Sequence, residues 1–147
     1  VQALLAQQVD VNAATDTGET PLMAAALCEG PEIARSLLDA GADPKARDAN
    51  GHSVLMAAAE SGNAAVAAML LEAGVDANDR NKLGATALHV AAYNGSEEVA
   101  ALLLEKGADP NARDSQNRTA LDLAVKEGHD TIVARLKLAG SVETAGG

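Results

Sequence analysis

Three histidines, one cysteine and a recurring set of aspartates are the residues of this chain best suited to chemistry. A metal site or a proton relay would need His52, His89 and His129 to converge with one another or with a carboxylate. They occupy unlike positions: one follows a loop glycine, one lies inside Thr86-Ala-Leu-His89, and one follows Gly128. No carboxylate stands at ligand spacing from them. Cys28 would act as a nucleophile only beside a base, and its local neighbour is Glu29 rather than a histidine. A small, semi-buried apolar role is expected for it. As the only cysteine it excludes an intrachain disulfide and any multi-cysteine metal site. Asp43, Asp76 and Asp109 recur at one interval at the end of a loop, where a short acceptor can satisfy backbone N–H groups. Periodic carboxylates are scaffold. Phosphate-loop, nucleophile-elbow and zinc-protease motifs are all missing. The residues therefore imply no catalytic site, no metal and no cofactor.

The same interval organises the whole chain. GETPLMAAA from Gly18, GHSVLMAAA from Gly51, GATALHVAA from Gly84 and NRTALDLAV from Asn117 begin 33 residues apart. Gly41, Gly74, Gly107 and Gly140 keep that step, as do Leu37, Leu70, Leu103 and Leu136. Each unit predicts a short helix, a turn, a second helix and an extended excursion. Thr20, Ser53, Thr86 and Thr119 are placed to cap the first helix, with Pro21 at a tolerated first-turn position. Gly62, Gly95 and Gly128 end it. Asn63 and Ser96 are placed to cap the second helix, with Glu97 and Glu98 facing its dipole. Val66-Met69-Leu70 and Val99-Leu102-Leu103 form its apolar stripe. Gly74 and Gly107 stop it, and stretches such as 108–114 should project as fingers.

Composition agrees. The chain has 147 residues, 48% of them hydrophobic, yet Tyr93 is its single aromatic. A core of Ala, Leu, Val, Ile and Met suits thin layers of closely packed helices. The formal charge of −10 disfavours nucleic acid and anionic membranes and would steer in a basic partner. No apolar run reaches the length of a membrane span.

Thr86-Ala-Leu-His89-Val-Ala-Ala92 and Leu102-Leu-Leu-Glu-Lys-Gly-Ala-Asp109-Pro-Asn111 resemble the ankyrin repeat. The resemblance implies an all-α ankyrin-repeat solenoid of stacked helix-turn-helix units with projecting β-hairpin-like loops. It extends over 1–140: a half repeat at 1–14, full repeats at 15–47, 48–80 and 81–113, and a C-terminal capping repeat at 114–140. A flexible tail at 141–147 completes the chain. It also implies that His89 braces neighbouring repeats through hydrogen bonds. Three departures matter. Leu4 and Leu5 match only a second helix, so a helix before them is expected to be lost or to lie outside the sequence given. Glu29 stands where the turn glycine belongs and Gly30 and Pro31 follow, so a remodelled turn is expected. Asp122 and Lys137 replace apolar residues in the last repeat, as a solvent-facing end requires.

A partner in this family usually lies on the concave face of finger tips and first helices. Comparing the repeats with one another leaves a set of variable positions there. The finger candidates are Asp16, Glu19, Asn50, His52, Lys82, Leu83, Gln116 and Arg118, and the helix-end candidates are Glu60, Tyr93, Asn94 and Lys126. Leu83 and Tyr93 are apolar where no core demands it, the pattern of an interface anchor. Arg47, Arg80 and Arg113 form a ladder just before the fingers. They either pair with Asp48, Asp79 or Asp114, or, in the case of Arg80 and Arg113 above all, grip a partner's carboxylates or phosphates. In the second case an acidic N-terminal end (Asp16, Glu19, Glu60) would face a basic C-terminal one (Arg118, Lys126). The function implied is a non-catalytic, monomeric protein-binding scaffold. The alternatives are an ankyrin module of a larger polypeptide and a bacterial-type stress-protective or effector protein.

Overall fold

The computed structural model describes residues 11–28 and 31–140. These residues form eight helices in four pairs: α1 (Pro21–Leu27) with α2 (Pro31–Asp39), α3 (Val54–Ser61) with α4 (Ala64–Glu72), α5 (Ala87–Asn94) with α6 (Glu97–Glu105), and α7 (Ala120–Glu127) with α8 (Asp130–Leu138). Residues 1–10 of the half repeat, the displaced turn at 29–30 and the tail at 141–147 lie outside the described residues. On the far side of the displaced turn, α2 begins at Pro31.

Each first helix starts where a hydroxyl can take one of its orphan N–H groups. Thr20 accepts from Met23, Ser53 from Met56, Thr86 from His89 and Thr119 from Asp122. α3, α5 and α7 end on Gly62, Gly95 and Gly128, each at φ 76. Asn63 caps α4 as expected, accepting from Val66 N–H. Ser96 does not cap α6: its hydroxyl donates instead to the Ala59 carbonyl of the preceding pair at 2.5 Å. Glu97 and Glu98 then supply the negative charge that the first turn of α6 favours.

The first helices stack on one another as an inner layer, the second helices as an outer layer, and each pair ties the two. Leu22, Leu55, Leu88 and Leu121, one residue from each inner helix, are at most 1% exposed. Between them lie Ala25-Ala26, Ala58-Ala59 and Ala91-Ala92, whose small side chains let the helices approach closely. Val66, Val99 and Ile132 fill the equivalent outer position completely, with Leu37, Leu70, Leu103 and Leu136 beside them. Removing any of these leucines to Ala would cost about 2–5 kcal/mol. An aromatic-free core is thus sufficient.

The fingers are hairpin-like without becoming a sheet, the single bridge among the described residues being Arg47–Ser53. At the last three tips a side-chain oxygen takes two N–H groups: Asp48 from Asn50 and His52, Asn81 from Leu83 and Ala85, Asp114 from Gln116 and Arg118. Consecutive fingers are joined by one backbone bond each, Ala49 N–H to Thr17 at 2.8 Å, Lys82 to Asn50 at 3.0 Å and Ser115 to Leu83 at 2.8 Å. Gly18, Gly51 and Gly84 stand where the next finger arrives. All three have positive φ, and a Cβ there would sit 2.9–3.1 Å from its backbone. Asn117 occupies the same slot at φ 65, and no further finger follows it among the described residues. Asparagine tolerates the left-handed conformation once the crowding is gone.

Gly84→Ala should therefore cost more than about 1 kcal/mol, from strain and finger crowding together. Asn117→Gly should change stability by no more than about 0.5 kcal/mol. Urea unfolding of the two variants checks the pair.

Candidate protein-binding surface

The arginine ladder is built into the frame. Arg47 Nη1 donates to the Gly51 carbonyl of its own finger at 3.2 Å and to the Arg80 carbonyl of the next at 2.6 Å. Arg80 repeats this with Gly84 at 2.9 Å and with the Arg113 carbonyl. Arg113 donates to Asn117 at 3.2 Å. Arg47 also pairs with Asp79, one of the carboxylates expected for the ladder. The main partners are backbone carbonyls, which residue spacing alone does not reveal. Asp114 is held by Arg118, whose Nε and Nη2 both reach its Oδ2 at 2.9 Å.

A second set of side chains ties the outer edge. Asn12 donates to Gly41 at 3.3 Å and accepts from Asp43 N–H at 2.7 Å. Asn78 does the same with Gly107 at 3.1 Å and Asp109 at 2.6 Å, and Asn111 donates to Gly140 at 3.3 Å. Asp43, Asp76 and Asp109 satisfy N–H groups two residues on, as their spacing implies. Lys45 holds the asparagine slot between the first and second pairs and carries no carbonyl oxygen to accept with. The third set closes the inner helices. The exposed ends of α1, α3 and α5 leave carbonyls at Ala26, Ala59 and Tyr93, which receive Ser61 at 2.6 Å, Ser96 at 2.5 Å and His129 Nε2 at 3.0 Å. This explains the missing cap on α6. Asn63, Ser96 and His129 share one slot: Asn63 caps its own helix and leaves the bridge to Ser61, whereas Ser96 and His129 bridge.

His89 does brace its neighbours. Its Nδ1 receives Thr86 Oγ1 at 2.9 Å and the Thr86 N–H at 3.2 Å, while Nε2 lies 2.8 Å from the Arg118 carbonyl. A carbonyl can only accept, so the proton is on Nε2 and the ring is neutral. Burial holds its pKa below the usual 6.5, against the opposing pull of the Arg118 carbonyl and the Asp114 carboxylate. Burial would raise the Asp114 carboxyl, but the Arg118 and Gln116 N–H groups and the Arg118 guanidinium hold it below 3.8. Asp122 occupies the slot of His89 and keeps half of its role, accepting from Thr119 N–H at 2.9 Å.

The variable positions divide into those the frame uses and those it leaves to solvent. Leu83 is 66% exposed and Tyr93 54% exposed. Asp16, Glu19, Asn50, Lys82, Gln116 and Lys126 are exposed as well. Asn94 is exposed, but its amide folds back onto the Val90 carbonyl at 3.0 Å. His52 is half-buried, with Nε2 3.5 Å from the Glu60 carboxylate. The expected basic end of the surface is weakened, because Arg118 is committed to Asp114. Cys28, expected to be semi-buried, is exposed at the end of α1, since its side chain leaves the helix after the last core alanine. Among the described residues no group of three or more His, Cys, Asp and Glu could hold a metal ion, and no helix is long and apolar enough to cross a membrane. An open groove of about 510 Å³ lies across the outer helices between Ala64, Ala68, Glu98, Leu102 and Arg135.

Stacked helix pairs with linked fingers define a helical-repeat solenoid. A family model of ankyrin repeats matches in three copies, over residues 1–81, 32–114 and 55–143, and the chain belongs to that family. Ankyrin repeats are generally protein–protein interaction modules and typically not enzymes. No curated protein matches the chain.

Lys45→Asn should restore the missing edge tie and raise stability by about 0.5–1.5 kcal/mol, read by urea unfolding. His89 is neutral in the fold, so the unfolded chain binds a proton more readily just below pH 6.5. Its contribution is complete above 6.5 and declines as pH falls below it. Asp114, its carboxyl held low, loses its contribution only below 3.8. A His89→Gln variant, less stable at pH 7.5 by about 1–3 kcal/mol, should lack the part of the loss that sets in as pH falls below 6.5 in the parent chain.

Proposed function

We propose that the chain is a non-catalytic scaffold that holds a protein partner on the concave face formed by its finger tips and inner helices. The observation that carries this reading is the pair Leu83 and Tyr93, exposed by 66% and 54% in the third helix pair. Neither is needed by the core. The slot of Tyr93 holds Leu27, Glu60 and Lys126 in the other pairs, so the frame places no demand on its chemistry. A large, stiff, amphipathic ring and an exposed aliphatic side chain in the same repeat are the kind of groups that concentrate interface energy. The acidic surface adds steering toward a basic partner. The arginines contribute by holding the fingers in line.

A double Leu83→Glu/Tyr93→Ala variant should melt as the parent does, because both side chains face solvent. As bait it should lose a protein that the parent enriches from the source cell, a loss of about 2 kcal/mol or more in binding. Enrichment of the same protein by both baits places the partner elsewhere on the molecule.

A further inference from the structure

Given a protein segment on the concave face, the premise of the proposed function, the chemistry of that segment can be narrowed. The His52–Glu60 contact at 3.5 Å shows that one finger slot and one inner-helix slot face each other across the surface. The same slots hold Ala85 and Tyr93 in the third pair, and Arg118 and Lys126 in the fourth. In the second pair, therefore, the gap is spanned by a histidine and a carboxylate. In the third the finger side ends at a methyl group, and Tyr93 stays half exposed with Leu83 at the same finger tip. In the fourth Arg118 is turned onto Asp114, which leaves Lys126 as the exposed cation. Along three consecutive inner helices the surface thus presents a carboxylate, an aromatic ring that faces only an alanine, and an ammonium group.

We propose that this stretch is a subsite for one apolar side chain of a protein segment, flanked by a cation over Glu60 and a carboxylate over Lys126. Helices pack about 8–10 Å apart, and an extended chain advances about 3.3 Å per residue. The two charges therefore fall about three residues on either side of the apolar anchor. The carboxylate is the discriminating feature. A chain of net charge −10 attracts basic segments everywhere, so an acidic residue near Lys126 runs against the overall field and requires a local cause.

Selection of displayed random 12-residue peptides on the intact chain tests this, with Glu60→Lys, Lys126→Glu, Tyr93→Ala and Leu83→Glu run in parallel after each shows unchanged thermal unfolding. The parent should enrich an apolar residue with one basic and one acidic flank. Glu60→Lys should convert both flanks to acidic and Lys126→Glu both to basic. Tyr93→Ala should weaken individual parent-selected peptides about tenfold. Uniformly basic peptides that ignore Lys126→Glu but are lost on Tyr93→Ala overturn the subsite and leave the concave reading standing. Peptides that survive Tyr93→Ala and Leu83→Glu overturn both. Absence of any enrichment overturns the subsite, and the capture experiment then judges the broader reading alone.

Discussion

A carbonyl left unsatisfied at the edge of one helix pair, answered by a donor from its neighbour, is the interaction on which this stack depends. Short helices expose a large share of their backbone polar groups at their ends, because the last turn has no partners within the helix. Here the answers come from three lines of side chains: Ser61, Ser96 and His129 to the inner helices, Arg47 and Arg80 to the fingers, Asn12, Asn78 and Asn111 to the outer edge. Each line runs along the stack at nearly the repeat interval. Burial supplies most of the free energy, but an alanine-rich contact between helices is smooth and would tolerate sliding. Directional bonds to fixed carbonyls set the register.

The ties are uneven. The junction between the third and fourth pairs carries Arg80, His89, Asn111 and His129 together. Between the second and third, Arg47, Asn78 and Ser96 remain, but the histidine slot is Met56. Between the first and second, the arginine slot is Ala14, the histidine slot is Met23 and the asparagine slot is Lys45. Tyr93 and Leu83 therefore project from the most heavily bonded part of the molecule. An anchor on a rigid support loses little freedom when it is buried, which favours binding without any additional contact.

Much of this is legible in the residues because the fold repeats itself. Helix starts at Thr20, Ser53, Thr86 and Thr119, the glycine stops and the leucine core follow from spacing alone. Spacing does not reveal the choice a polar side chain makes between two partners. Ser96 has the right type and place for a cap and serves as a bridge, while Asn63 in the same slot caps. In sequence the arginines match aspartates, whereas most of their bonds run to carbonyls, and a carbonyl leaves no trace in residue identity. The surface is legible only as a set of positions free to vary. Which of them point away from the frame, and which fold back onto it as Arg118 and Asn94 do, depends on contacts that residue type does not encode.

The slot shared by Met23, Met56, His89 and Asp122 shows how one frame position can be given different work. Methionine there is buried and contributes packing alone. Histidine keeps the volume, caps its own helix through Nδ1 and reaches the next finger through Nε2. Aspartate caps its own helix, and after the fourth pair no described finger waits to be reached. Gly84 and Asn117 differ on the same ground. A slot that is exposed in every described pair and whose side chain differs from one pair to the next is, by this physical criterion, one the frame has released. Glu60, Tyr93 and Lys126 form such a slot. The chemistry of the proposed partner is therefore better sought there than in the more conspicuous arginines, which the fingers occupy.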